Sequence, residues 1–146
     1  MKVFIGADHG GYGVKEKLKG FLKNKRVDFV DLGTYNSDPM DYPDVASKVA
    51  KQVAKSKGSR GILVCGSGTG MVIAANKVKG IRAAVAYDPY SAKMSRVDND
   101  SNILGLRARF FPYEKTKKIV STWLSTKFSN KKRHKDRIRK IARLEK

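Results

Sequence analysis

Short apolar runs alternate with segments in which apolar residues return every three or four positions. Residues 3–7, VFIGA, form the first run and predict a strand. Over residues 12–25, Val14, Leu18, Phe21 and Leu22 share one helical face, with lysines elsewhere. Residues 27–32, VDFVDL, read as a second strand that stops at Gly33. A polar loop with Asp38-Pro39 and Tyr42-Pro43 follows. Then Val45, Ala46, Val49, Ala50 and Val53 recur at helical spacing, and Gly58 marks the helix end. Residues 62–65, ILVC, predict a buried strand that enters the turn Gly66-Ser67-Gly68-Thr69-Gly70. A helix from Met71 to Lys77 comes next, stopped by Gly80. Residues 83–86 and 103–106 are the fourth and fifth strands. A helix over 113–126 carries Ile119, Val120, Trp123 and Leu124.

Strands that alternate with helices build βαβ units and a parallel sheet. The expected fold is α/β: a Rossmann-like three-layer sandwich with a five-stranded parallel sheet and an extended C-terminal helix. One domain is expected over residues 1–146, with an α/β core at 1–128 and a basic helical arm at 129–146. In the arm, Ile138, Ile141 and Leu144 make a narrow apolar stripe among basic residues, suited to docking on the body or on a second subunit. Sites in such sheets lie outside the carboxyl ends of the strands. That rule selects Asp8-His9, Cys65 to Gly70, Asp88 and a loop near Asn99.

Composition narrows the setting. Lys and Arg number 32 against 13 Asp and Glu, a formal net charge of +19, which favours anionic ligands and loose contact with nucleic acid. Many of these lysines read as solvated helix faces. Cys65 is the single cysteine, so no internal disulfide or multi-cysteine zinc site can form. A lone thiol and the lack of an apolar leader or membrane-length run point to a cytoplasmic protein.

The glycine-rich turn lets backbone N–H groups approach an anion, although a purely structural tight turn has the same look. Cys65 ends its strand facing that turn. It reads either as a small buried hydrophobe or as a thiolate base, favoured there by a helix start and nearby cations. A thiolate so placed can take a proton from carbon while the turn's amides hold the resulting oxyanion. At the first strand's end, His9 can bind phosphate and Asp8 can orient a hydroxyl; a capped turn is the plainer account. Tyr42, in its loop, is a packed aromatic or a cover over a ligand. Arg133 and Arg137, one helical turn apart, fit bidentate phosphate capture or a solvated face.

These pieces together resemble the ribose-5-phosphate isomerase B family, which includes the galactose-6-phosphate isomerase subunits. The resemblance rests on GADHGG, DLGTYNSDPMDYPDVA, LVCGSGTGMVIAANKVKGIRAA, SRVDNDSNILGLRAR and the terminal RHKDRIRKIARLE, in family order across essentially the whole chain. It implies an aldose–ketose isomerase of a phosphorylated sugar, with no metal or organic cofactor. It also implies a homodimer, in some members a tetramer, with sites at the subunit interface. By resemblance Cys65 is the base, Ser67 a hydroxyl beside the enediolate, and Gly66, Gly68, Thr69 and Gly70 the anion hole. Asp8, His9, Tyr42, Asn99, Arg109, Arg133 and Arg137 contact substrate.

The chain departs from the family at Asp98, where the family places a ring-opening histidine. An exposed aspartate is a poor acid at neutral pH. Asp98 itself, His9 or His134 takes that step, or the chain works on another sugar phosphate such as a hexose 6-phosphate. A nucleic-acid-binding module and a nucleotide-binding regulator are the rivals. No nucleic-acid-binding motif and no first-strand dinucleotide fingerprint supports either.

Overall fold

The computed structural model describes residues 1–145. Five strands form one parallel sheet: β1 (Lys2–Ala7), β2 (Asp28–Asp31), β3 (Arg60–Cys65), β4 (Ala83–Val85) and β5 (Ile103–Arg107). Their order is β2-β1-β3-β5-β4, so the last strand is inserted between the third and the fourth. The central strands β1, β3 and β5 are almost wholly buried, because helices cover both faces, and this explains their continuous apolar runs. Helices α1 (Tyr12–Asn24), α4 (Pro89–Asn99) and α5 (Tyr113–Ser125) border one face, where Leu18, Leu22, Ala92, Ile119, Val120 and Trp123 pack on the sheet. Helices α2 (Tyr42–Lys55) and α3 (Thr69–Ala75) cover the other, with Val45, Val49, Met71 and Ala75 around Leu63 and Cys65. The last helix is α6 (Lys132–Ala142). The expected arm's final residue, Lys146, lies outside the described residues.

Three expectations need correction. Tyr42 is the first residue of α2, started by Pro43 in its first turn, and does not belong to the preceding loop. The helix after the glycine turn runs Thr69–Ala75, two residues earlier than its apolar pattern indicates. The segment containing Asp98 and Asn99 is the last turn of a helix, α4, rather than a loop. The buried positions of α4 are only Ala92 and Arg96, so its core-facing side gives little apolar signal. Asp88, one of the residues selected by strand ends, caps this helix: its Oδ1 accepts the Ser91 N–H at 2.6 Å.

A buried charge cluster joins α1 to β2. Lys15 is fully buried, and its Nζ donates at 2.7 Å to each Asp31 carboxylate oxygen. Lys19 Nζ donates to Asp31 Oδ2 at 2.8 Å, and the Gly33 N–H donates to Oδ1 at 2.9 Å. Gly33 in turn accepts the Ala7 N–H at 2.7 Å, tying the cluster to the carboxyl end of β1. Burial works to raise the Asp31 pKa, but hydrogen bonds from Lys15, Lys19 and Gly33 outweigh it and hold the carboxyl below its ordinary 3.8.

A carboxylate depressed in the folded state stabilises fully above its unfolded pKa, and loses that effect as pH falls through the folded value. The Asp31 contribution is therefore complete above about pH 5 and is lost on acidification. Asp31→Asn is expected to cost about 3 kcal/mol at pH 7, because it leaves the buried Lys15 charge with only the longer contact to Glu16, 3.6 Å away, as a carboxylate partner among the described residues. It should also flatten the acid limb of the stability profile. Urea unfolding at pH 7 and pH 3 checks both; equal stability of variant and wild type at pH 7 would refute the account.

Candidate active site

Strand β1 pairs with β2 on one side and β3 on the other, and the helices that follow β1 and β2 lie on opposite faces. The helices that follow β1 and β3 also lie on opposite faces, so the carboxyl ends of these two neighbouring strands form the switch point of the sheet. Asp8 sits at this edge with 8% exposure; its N–H donates to the Val64 carbonyl at 3.2 Å, and its Oδ1 accepts the Gly11 N–H at 2.9 Å. His9 Nδ1 accepts the Met40 N–H at 3.2 Å. The neutral ring then carries its proton on Nε2, a donor for an anion.

Cys65 ends β3, 4% exposed, and its Sγ accepts the Gly68 N–H at 3.0 Å. Gly68 adopts φ +83°, which suits glycine. It is also pressed down on β5: a methyl there would lie 3.0 Å from the Leu106 carbonyl. Ser67 and Thr69 are exposed beside it, the Thr69 N–H donating to Ser67 Oγ at 3.3 Å. The Arg109 guanidinium crosses the mouth. A methyl on Gly66 would come 3.0 Å from its Nη1, and one on Gly10 3.4 Å from its Nη2. Tyr42 lies over the start of α3, where a methyl on Gly70 would meet its Cζ at 2.7 Å and its hydroxyl at 3.0 Å. The fold thus gathers Asp8, His9, Tyr42, Cys65, Gly66, Ser67, Gly68, Thr69, Gly70 and Arg109 around one thiol.

Asp98, Asn99, Arg133 and Arg137 lie elsewhere. Helix α4 leaves the carboxyl end of β4 and delivers Asn99 four residues before Ile103, the first residue of β5. Ile103 pairs with Gly61 and Arg107 with Cys65, so Asn99 lies beyond the opposite end of the sheet from the thiol. The expectation that this segment sits at the carboxyl edge is overturned. The 11 residues of α4 span about 16 Å and carry it across the whole layer. There α6 docks on α4: the Ser129 N–H donates to the Val97 carbonyl at 3.2 Å, and the buried His134 faces Asp98, Nε2 to Oδ1 3.5 Å. His134 Nε2 accepts from Arg133 Nε at 3.2 Å, so Nδ1 carries the proton and donates to Ser129 Oγ at 2.6 Å. Asn99, Arg133 and Arg137 are exposed.

One residue at the first group went unnoticed in the sequence. Tyr87 follows β4, and its hydroxyl donates to the Ser67 carbonyl at 3.1 Å. Its place just past a strand, before Asp88-Pro89, is the signal that the strand-end rule should have caught.

A thiol under a backbone N–H, beside a histidine donor and an arginine at the switch point of a parallel sheet, is the equipment of an α/β enzyme for small anionic substrates. Comparison with known proteins makes that class specific. The family described as Ribose/Galactose Isomerase matches residues 3–141, and the chain belongs to it. Ribose-5-phosphate isomerase B of Escherichia coli (strain K12) is 42% identical over 144 residues, covering 99% of this chain and 96% of that protein. The solved ribose-5-phosphate isomerase B of Clostridium thermocellum superposes with a TM-score of 0.96 at 46% identity, over 99% of this chain and 97% of that one. The Mycoplasma genitalium ribose-5-phosphate isomerase B structure, with bound ribulose-5-phosphate, gives 0.94 at 41% identity, over 98% and 95%.

Proposed function

We propose that the chain is an aldose–ketose isomerase interconverting ribose 5-phosphate and ribulose 5-phosphate, with Cys65 as the base. The observation that carries this is the Gly68 N–H on Cys65 Sγ at 3.0 Å, inside the ring of Asp8, His9 and Arg109. The Cys65 thiolate takes the C2 proton of the open-chain aldose. The electron pair forms the C1=C2 bond and the charge moves to O1, where N–H groups of the 66–70 turn other than Gly68, which stays on the sulfur, and the Ser67 hydroxyl receive it. Cys65 returns the proton to C1, the O2 proton moves to O1, and the ketose results. His9 and Arg109 hold the anionic substrate from this side.

The reading includes a second copy of the chain. Asn99, Arg133 and Arg137 cannot reach their own Cys65 across the sheet, but they can meet the Cys65 edge of a partner. An isologous pairing would make two such sites, with phosphate held by His9 and Arg109 of one protomer and arginines of the other. Leu144 and Ile141, 80% and 42% exposed on the arm, support a subunit contact at that end. Ring opening falls to Asp98.

The test is a coupled assay of ribose 5-phosphate conversion with EDTA present, on wild type and Asp98→His. Wild-type turnover is expected, with a rise in the histidine variant of up to about tenfold if ring opening limits the rate. A silent wild type restored by histidine would assign the chain another sugar phosphate. Silence from both would end the ribose reading and leave hexose 6-phosphates as the substrates to try.

A further inference from the structure

The assignment of Cys65 as base leaves open what holds the loop amide on its sulfur. Ser67 C=O and Gly68 N–H belong to one peptide unit. The N–H end of that unit donates to Cys65 Sγ at 3.0 Å, and the C=O end accepts from the Tyr87 hydroxyl at 3.1 Å. Tyr87 O also lies 3.4 Å from Thr69 Oγ1. Because the Tyr87 proton is committed to the carbonyl, the Thr69 hydroxyl is the donor in that contact. The result is an ordered chain of donors: Thr69 hydroxyl to Tyr87 hydroxyl, Tyr87 hydroxyl to Ser67 carbonyl, Gly68 amide to Cys65 sulfur.

Two physical consequences follow. Hydrogen bonds in series polarise one another, so a donor on the carbonyl makes the N–H of the same peptide a better donor to sulfur. A peptide before a glycine is also held weakly by sterics, since glycine accepts either sign of φ. Gly68 stands at φ +83°, and rotation of the 67–68 peptide would turn its N–H away from the thiol. The Tyr87 ring is itself anchored, tilted against Phe111 with centroids 6.5 Å apart. The ring places the hydroxyl, and the hydroxyl fixes the peptide.

We infer that Tyr87 is a positioning residue for Cys65: through the Ser67–Gly68 peptide it aims and strengthens the single N–H that holds the sulfur. It needs no contact with substrate. The inference rests on the proposed role of Cys65 only where turnover is concerned, because the state of the sulfur can be read directly. Cys65 is the sole cysteine, so alkylation of the intact protein reports on it alone.

Tyr87→Phe keeps the ring and removes the hydroxyl. The expected result is a fall in kcat of about tenfold with KM within about twofold, and a matching several-fold slowing of Cys65 alkylation by iodoacetamide at pH 7.5. Phe111→Leu, which loosens the ring but leaves the hydroxyl, should slow alkylation in the same direction by a smaller factor. Unchanged alkylation in Tyr87→Phe would overturn the inference, whatever happens to turnover. If Cys65→Ala kept its turnover while Tyr87→Phe slowed alkylation, the inference would stand and the catalytic assignment of Cys65 would fall.

Discussion

Replacing Cys65 with alanine removes turnover and leaves the fold standing. A positioned general base contributes about 10²–10⁴-fold, and no other proton acceptor is held under the Gly68 N–H, so a loss of about a thousandfold in kcat is expected. Substrate binding should survive, because His9 and Arg109 reach the switch point from β1 and from the segment after β5. KM is then expected to stay within a few-fold of wild type. The structural cost is small. The side chain is small, its only polar contact among the described residues is the one from Gly68, and alanine fits the same apolar cluster, which includes Met71 and Leu63. A loss of about 1 kcal/mol in stability is the expectation. Stopped-time assays with thermal melts of the same preparation separate the two effects. A variant that keeps more than a tenth of wild-type kcat would remove Cys65 from the base role.

This half of the site was legible in the sequence for a physical reason. Cys65 ends β3 and Asp8-His9 follow β1, two strands buried on both faces, and short continuous apolar runs bounded by glycine-rich turns mark such strands. Whatever follows them lies at the carboxyl edge. The glycines that let Arg109 and Tyr42 press on the loop also stand out. The other half was not legible. Helix α4 turns Arg96 toward the interior, satisfied by the Ser101 carbonyl at 2.6 Å and by Asp100 at 2.8 Å, so a charged residue occupies a core position. With that periodicity hidden, Asp98 and Asn99 looked like loop residues. The insertion of β5 beside β3 has no sequence signature either, because all three buried strands are equally apolar. Tyr87 stands at a strand end that the sequence marks, but its partner, the Ser67 carbonyl, lies 20 residues away and only the fold pairs them.

Two impaired variants should restore each other if the site is shared between protomers. Cys65→Ala lacks the base at the strand edge; Arg137→Ala lacks an arginine on α6 at the far end of the sheet. Loss of a charge-assisted phosphate contact is expected to lower kcat/KM of Arg137→Ala about 10–100-fold, mainly through KM. In a mixed dimer, one site combines the intact Cys65 of the arginine variant with the intact Arg137 of the cysteine variant, and the other site carries both defects. Random pairing makes half the dimers mixed, so co-expressed variants should give roughly a quarter of wild-type activity at low substrate concentration. Doubly tagged, doubly purified mixed dimers should give about half. Sites complete within one chain would instead yield only the mean of the two crippled parents. That outcome would require Arg137 to act from more than a sheet's length away from its own Cys65, which the path of α4 and the docking of α6 on it do not allow. A result at the parental mean would therefore dismiss the arginine from the phosphate site, while leaving the thiol, its loop amide and the isomerase reading intact.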